Sequence, residues 1–353
     1  MSYLKFDKTV MINLEESLTR EVLRTNRLGA YHSSTVVDCN TRKYHGLLVM
    51  PVPALDDDNH VLLSSLDETV IQHGAEFNLG LHKYGENNFS PKGHKYIREY
   101  TCDTVPRTVY RVGGVIFSKE KVFSMFENRI MIKYTLEDAH SATTLRFRPF
   151  LAFRSVKELT YANGNLNQNY TVVPNGIKMC LYPGYPELFM QFSKKVNFVF
   201  DPKWYYGIEY SKEQERGYPY KEDLFVPGYF EVPIKKGETI VFSAGDSQVA
   251  TTRLKTLYDT EVAARTPRTS FYNCLKNSAQ QFYFRPKKQD AYLLAGYPWF
   301  KVRARDLFLA TPGCTLSIDD PVRFEKIMAT ALPALRAFME DGAQDPVIQE
   351  IEQ

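Results

Sequence analysis

The chain has 353 residues, with 44 Lys and Arg against 41 Asp and Glu, a net charge of +3. That near-balance argues against a dedicated nucleic-acid binder, which carries a strongly basic face. The 44% hydrophobic fraction supplies a packed core and excludes global disorder. The first ten residues, Met1 to Val10, interrupt every apolar stretch with charge. They contain no signal-peptide core of roughly 7–15 apolar residues. No run approaches the roughly 18 apolar residues of a membrane helix, so no membrane partner is expected. The five cysteines (Cys39, Cys102, Cys180, Cys274, Cys314) are scattered and form no CxxC pair. Reduced, mostly buried thiols in a cytoplasmic protein, with no metal site, are therefore expected.

From about residue 10 to 250 the apolar period is mostly two, and 23 Tyr and 23 Phe against two Trp favour β structure. Val109–Val112 leads through Gly113-Gly114 into Val115–Phe123, a hairpin signal. Strands are predicted at 129–136, 144–150, 176–182, 187–192 and 197–200, then two more around the Lys-Gly-Glu turn within 228–244. Many short strands without intervening helices imply a large antiparallel sandwich. Near residue 250 the period changes. Leu254, Leu257 and Tyr258 are spaced i, i+3, i+4, and Phe271, Leu275 and Phe282 continue at helical spacing. Asp320-Pro321 is an N-cap followed by Pro at N1, and Phe324, Ile327, Met328 and Ala331 form an apolar stripe that Pro333 should kink or end. The predicted organisation is a mainly β sandwich over 1–250, a connecting helix over about 251–284, and a helical segment over 285–353.

Three segments mix aromatics with Arg, Asp and Glu. The first is Asn26–Tyr31 with Asn40–Val49. The second runs from Trp204 to Phe225. The third is Ala295–Phe300 with Arg305-Asp306 and Pro312-Gly313. Sugars suit such surfaces, because their apolar faces stack on rings and planar charged groups bond their hydroxyls.

Taken in order, "NTRKYHGLLV", "WYYGIEYSKEQERGYPYKEDLF" and "AGYPWFKVRARDLFLATPG" resemble the bacterial glycogen-debranching family, the amylo-α-1,6-glucosidase-type glycoside hydrolases. The resemblance runs from about residue 15 to 340. It implies a β-super-sandwich followed by an (α/α)6 toroid, an α-glucan partner (glycogen or limit dextrin), water as acceptor and no cofactor. It also implies substrate contacts at Tyr297, Trp299, Arg305 and Asp306, and a sandwich–toroid interface at Arg42, Tyr44, His45, Glu222 and Asp223. One departure stands out: Lys301-Val302-Arg303-Ala304 occupies the stretch where the family shows Gly-x-Trp-Gly. Twelve toroid helices with their connections need on the order of 190–200 residues, and residues 281–353 have room for about four. The chain is therefore expected to be the front part of a longer enzyme, inactive alone. The inverting acid and base, about 6.5–9.5 Å apart, are expected beyond Gln353, and no catalytic residue is assigned here.

Plainer readings compete at each position. Arg305 and Asp306 could be a helix-capping pair, and Tyr297 and Trp299 could fill the inter-domain seam. His45 could be a base but reads better as a hydrogen-bonded structural histidine. Glu209, Glu215, Glu222 and Asp223 read as loop salt bridges facing the helical domain, and Asp56-Asp57-Asp58 as a solvated loop rather than a calcium site. An α-glucan phosphorylase of the same architecture and a non-catalytic glucan-binding module are the alternative functions.

Overall fold

The computed structural model describes residues 2–352. The chain is mainly antiparallel β, with two large sheets and helices concentrated at the C-terminal end. One sheet has nine strands in the order Lys5–Asp7, Ile97–Cys102, Pro106–Val112, Val115–Phe123, Arg129–Asp138, Thr239–Gly245, Leu188–Phe192, Gly176–Met179 and Tyr170–Val173. The other has eight: Asn197–Glu209, Lys221–Ile234, Thr143–Ser155, Asn59–Gln72, Gly46–Pro51, Tyr31–Thr35 and Glu21–Thr25, with Ala75–Asn78 added beside Asn59–Gln72.

The aromatic excess joins the sheets. Phe147 of the eight-stranded sheet meets Tyr134 at 4.9 Å and Phe192 at 5.2 Å, ring centre to ring centre, across the interior. Phe192 in turn touches Phe230 at 5.1 Å and Phe242 at 5.1 Å. Each such pair adds about 0.5–1.5 kcal/mol beyond the area it buries. The eight-stranded sheet is also covered on its outer face, where Tyr31, Val49, Val61, Phe150, Ile208 and Leu224 form a second apolar cluster. Double coverage explains why Leu47-Leu48-Val49 is a continuous apolar run rather than an alternation.

The hairpin at 109–123 forms as its sequence predicts. Val112 pairs with Val115, and Gly113 (φ +56°) and Gly114 (φ +80°) adopt the left-handed turn that glycine permits. The strand predicted at 197–200 runs on to Glu209 through irregularities between Phe200 and Lys203 and between Tyr205 and Ile208. Gly228 sits opposite the first of these at φ +143°, and a Cβ there would lie 2.0 Å from the Val199 carbonyl oxygen. Gly228→Ala is expected to lower stability by roughly 2 kcal/mol or more through strain and overpacking. An unchanged urea midpoint for this variant would contradict that reading.

Three short helices, α1 (Lys8–Ile12), α2 (Leu14–Ser17) and α3 (Ser211–Glu215), border the sheets, and four longer ones follow them: α4 (Leu254–Ala263), α5 (Phe271–Gln280), α6 (Ala304–Cys314) and α7 (Pro321–Asp341). The single connecting helix expected over 251–284 is two helices. The chain leaves helix after Ala263, passes Pro267, and restarts where the Ser270 side chain accepts from the Asn273 N–H. Pro267 and the new cap account for the break. Helix α4 packs Leu254 and Tyr258 on the outer face of the nine-stranded sheet.

Asp320 caps α7 through the Arg323 N–H, with Pro321 at the first helical position. Pro333 neither ends the helix nor stops its apolar contacts, because Ile327, Ala331, Leu335 and Phe338 on both sides of it pack into one cluster. Their burial offsets a cost of about 3 kcal/mol for an interior proline. That cluster, from Tyr283 to Ile351, is separate from the sandwich core. All five cysteines are free; Cys39 and Cys102 are buried and the other three half-buried. No helix among the described residues is long and apolar enough to cross a membrane.

Candidate functional site

The three aromatic–charged segments meet on one surface. The loop 295–301 is closed by hydrogen bonds from the Ala295 N–H to the Lys301 carbonyl (2.8 Å) and from the Phe300 N–H to the Gly296 carbonyl (2.8 Å). This tight loop presents Trp299, which is 44% exposed. Its ring meets Tyr44 edge-on at 5.9 Å, and the Arg42 guanidinium lies 5.4 Å from its centre. Lys43 places its ammonium over both Tyr44 (5.6 Å) and Tyr218 (5.7 Å), and Arg216 covers Tyr218 at 4.9 Å. Trp299, Tyr44 and Tyr218 thus form an aromatic strip edged by three cations. A solvent-facing ring beside hydrogen-bond donors is what sugar stacking requires. Arg216 and Tyr218, both in the second segment, join the site beyond the residues that the family resemblance implies. The available signal was their alternation of cation and aromatic, the same signal that marks 42–44.

The support beneath the strip is polar, with His45 buried within it. Arg42 donates from Nε to Glu21 Oε1 at 2.8 Å. His45 is buried, and its Nδ1 accepts from the Thr41 N–H at 3.1 Å. A neutral ring in that arrangement carries its proton on Nε2, which faces Glu21 Oε2 at 3.8 Å. Burial lowers the His45 pKa, with Glu21 opposing. Burial would raise Glu21, but the facing His45 Nε2–H and the hydrogen bond and charge of Arg42 hold it down at about 2. His45 therefore ties the 41–46 loop together, its ring held between the Thr41 N–H and Glu21.

The remaining predicted residues are placed differently. Tyr297 is only partly exposed. Its ring packs on Tyr31 (5.5 Å) and Phe282 (6.2 Å), with the hydroxyl buried and unpartnered, so it fills the seam between sandwich and helices. Arg305 and Asp306 face each other, Nη2 to Oδ1 at 3.6 Å, in the first turn of α6. A carboxylate there suits the helix dipole.

Glu222 and Asp223 do not reach the helical segment. Glu222 is fully buried in the sandwich; Arg154 Nη2 donates to its Oε1 at 2.9 Å, and Arg154 Nε bonds its Oε2. The Tyr210 hydroxyl (2.5 Å) and the Thr160 N–H (2.8 Å) complete the shell. Asp223 accepts from the Gly207 N–H (2.8 Å) and the Ala162 N–H (3.0 Å), tying an irregular strand to a loop. Buried carboxylates need such partners. Glu209 lies on a strand, between Lys83 (3.6 Å) and Lys221 (3.3 Å). The Asp56–Asp58 loop is pinned by His60 (2.9 Å to Asp56) and Lys157 (2.7 Å to Asp58), and Lys301 bonds the Asp57 carbonyl. No group of three or more His, Cys, Asp or Glu is gathered to hold a metal among the described residues.

The geometry defines a two-sheet antiparallel sandwich that meets a helical segment at an aromatic strip. The family described as glycogen debranching enzyme N terminal matches residues 20–241, well over half of the chain. The chain belongs to that family. Among solved structures, a bacterial glucoamylase complexed with acarbose is similar at 10% identity, over 100% of this chain and 53% of that one, with a TM-score of 0.44. A polysaccharide lyase is similar at 10% identity over 65% of this chain and 33% of that one, with a TM-score of 0.22. The chain thus spans about half the length of the glucoamylase chain it matches. A search of curated proteins gives no match.

Proposed function

We propose that this chain holds α-glucan for debranching, with Trp299, Tyr44 and Tyr218 as the sugar platform and Arg42, Lys43 and Arg216 as hydroxyl ligands. The observation that carries this reading is the half-exposed Trp299 against Tyr44 and Arg42, with Lys43 linking Tyr44 to Tyr218, so that the three aromatic–charged segments join in one chain of contacts. Family membership supports the choice of glucan over other polyols. Arg305 and Asp306, partly exposed on the same helical segment, serve as further hydroxyl ligands in this proposal. The reaction it serves is hydrolysis of α-1,6-glucosidic branches by inversion, in the cytoplasm and without a cofactor. No general acid or base is assigned among these residues in this proposal.

Affinity gels containing glycogen test the platform. Trp299→Ala is expected to weaken binding about tenfold, roughly 1.4 kcal/mol, and Leu309→Ala, an exposed substitution on α6 away from the strip, should leave it unchanged. Equal mobility of the parent chain with and without glycogen would defeat the proposal. Incubation with branched limit dextrin tests the division of labour. Glucose release by this chain would place the acid and base within it, and phosphate-dependent release of glucose 1-phosphate would point to a phosphorylase. Binding without turnover in the full-length protein would make the chain part of a glucan-binding module.

A further inference from the structure

Between the sandwich and the C-terminal helices lies a cavity of about 190 Å³. Four guanidinium groups line it: Arg27 from the sandwich, Arg265 and Arg285 from the connecting segments, and Arg323 from α7. Asp320 is the lining carboxylate. Two of the cations have acceptors of their own. Arg265 pairs with Glu261 at 3.3 Å, and Arg285 donates to the Lys288 carbonyl at 2.9 Å.

The other two are undercompensated. Arg27 is only 9% exposed and donates to the neutral Gln280 carbonyl at 2.8 Å, with no carboxylate at ion-pairing distance among the described residues. Burial, then the charges of Arg265 and Arg323, push its pKa down to about 10. Arg323 has a buried Nε without a hydrogen-bond partner. Its nearest carboxylate oxygen, Asp320 Oδ2, stands at 3.6 Å, while Asp320 Oδ1 is engaged in capping the Arg323 N–H. Arg27 and Arg323 also share one ring, at 5.3 and 4.7 Å from the centre of Tyr283. Two like charges over one ring in a half-enclosed space repel, and an anion between them removes that repulsion.

We propose that this cavity is a binding site for a phosphate group, bridging Arg27 of the sandwich and Arg323 of α7. Guanidinium forks match phosphate oxygens bidentately, and a dianion compensates two cations that one partly engaged carboxylate leaves undercompensated, where a halide supplies a single charge. The space is smaller than the roughly 300–1,000 Å³ of pockets for drug-sized ligands. It suits inorganic phosphate or the phosphate of a monosaccharide. Trp299 and Asp306 do not line it, so the site stands apart from the proposed glucan platform and does not rest on that reading. Because its two principal ligands come from different parts of the chain, occupancy clamps the helices to the sandwich.

Calorimetric titration and thermal unfolding of the whole chain test the proposal, with sodium phosphate, glucose 1-phosphate and glucose 6-phosphate as probes and sodium chloride at matched ionic strength as control. The expected result is saturable binding of a phosphate compound and a concentration-dependent rise in Tm that chloride does not reproduce. Tighter binding of a sugar phosphate identifies the ester as the ligand; equal or weaker binding identifies the inorganic ion. Arg323→Gln, at a partly exposed position, should lower affinity about tenfold or more while leaving the circular dichroism spectrum unchanged. Arg27→Gln should abolish binding. If Arg27→Gln does not fold, the parent and Arg323→Gln titrations still decide. Absence of saturable binding by the parent, or equal affinity in Arg323→Gln, overturns the site.

Discussion

Glu222→Ala is expected to destabilise the sandwich by about 3–5 kcal/mol, a large part of the roughly 5–15 kcal/mol that holds a domain together. Glu222 is 0% exposed and Arg154 is 4% exposed, so the substitution leaves a guanidinium buried without its counter-charge. Burial alone would lower the Arg154 pKa; Glu222 and Tyr210 more than reverse that and hold it charged. The loss also reaches the surface. Arg154 Nη1 donates to the Lys43 carbonyl at 2.9 Å, so the buried pair positions the loop that carries Arg42 and Tyr44 under Trp299. With the proposed glucan platform, glycogen affinity should therefore fall together with stability. The double variant Arg154→Met/Glu222→Leu, which removes both charges, should recover much of the stability without restoring the loop contact. Urea unfolding of the parent and the two variants checks the first part. A Glu222→Ala midpoint within experimental error of the parent would show that the pair does not hold the sheet.

What could be read from the residues follows the range of the forces involved. Gly113-Gly114 and Asp320-Pro321 are local devices: two glycines that permit positive φ, and a side-chain cap before a preset φ. Both form where the sequence places them. The strand Asn197–Glu209 was legible only in its first four residues, because two irregularities break the alternation that marks a strand. The charges at 209–223 misled for a different reason. A carboxylate in a sequence looks solvated until its partner is known, and Arg154 is 68 positions from Glu222. Tyr297 carries the same lesson, since nothing beside it in sequence announces Tyr31 as its neighbour. Trp299 was legible as an aromatic among charges, but the strip it joins with Tyr44 and Tyr218 exists only once the two sheets and the 295–301 loop are assembled.

Acidification should unfold the protein over a range set by its buried histidines. His32 is 2% exposed, and its Nδ1–H donates to the Gly46 carbonyl at 2.9 Å. Burial, then the Lys121 charge, lowers its pKa to about 3 against Asp38, with Arg24 adding to the drop. His94, beside Lys95 and Lys92, is lowered to about 4, again chiefly by burial, and His45 is lowered in the same direction. Each of these groups binds its proton more readily in the unfolded chain, where the ordinary value of 6.5 applies. Between the folded and unfolded values the unfolded state carries the extra proton, so stability falls as pH falls. The contribution is complete above about pH 6.5 and is lost progressively below it. Each histidine adds a slope of up to about 1.4 kcal/mol per pH unit, and the full span for His32 is on the order of 4–5 kcal/mol. Carboxylates titrate near pH 4 in the unfolded chain, so between about pH 6.5 and 5 the histidines dominate the slope. Glu21, held at about 2, adds its loss only below that window. Urea midpoints measured from pH 7.5 to 5 should therefore decline. His32→Gln, whose amide can still donate to the Gly46 carbonyl, should flatten the decline by close to one proton's worth. A midpoint that stays level down to pH 5, or a His32→Gln slope equal to the parent's, would show that these rings are not held neutral by the fold.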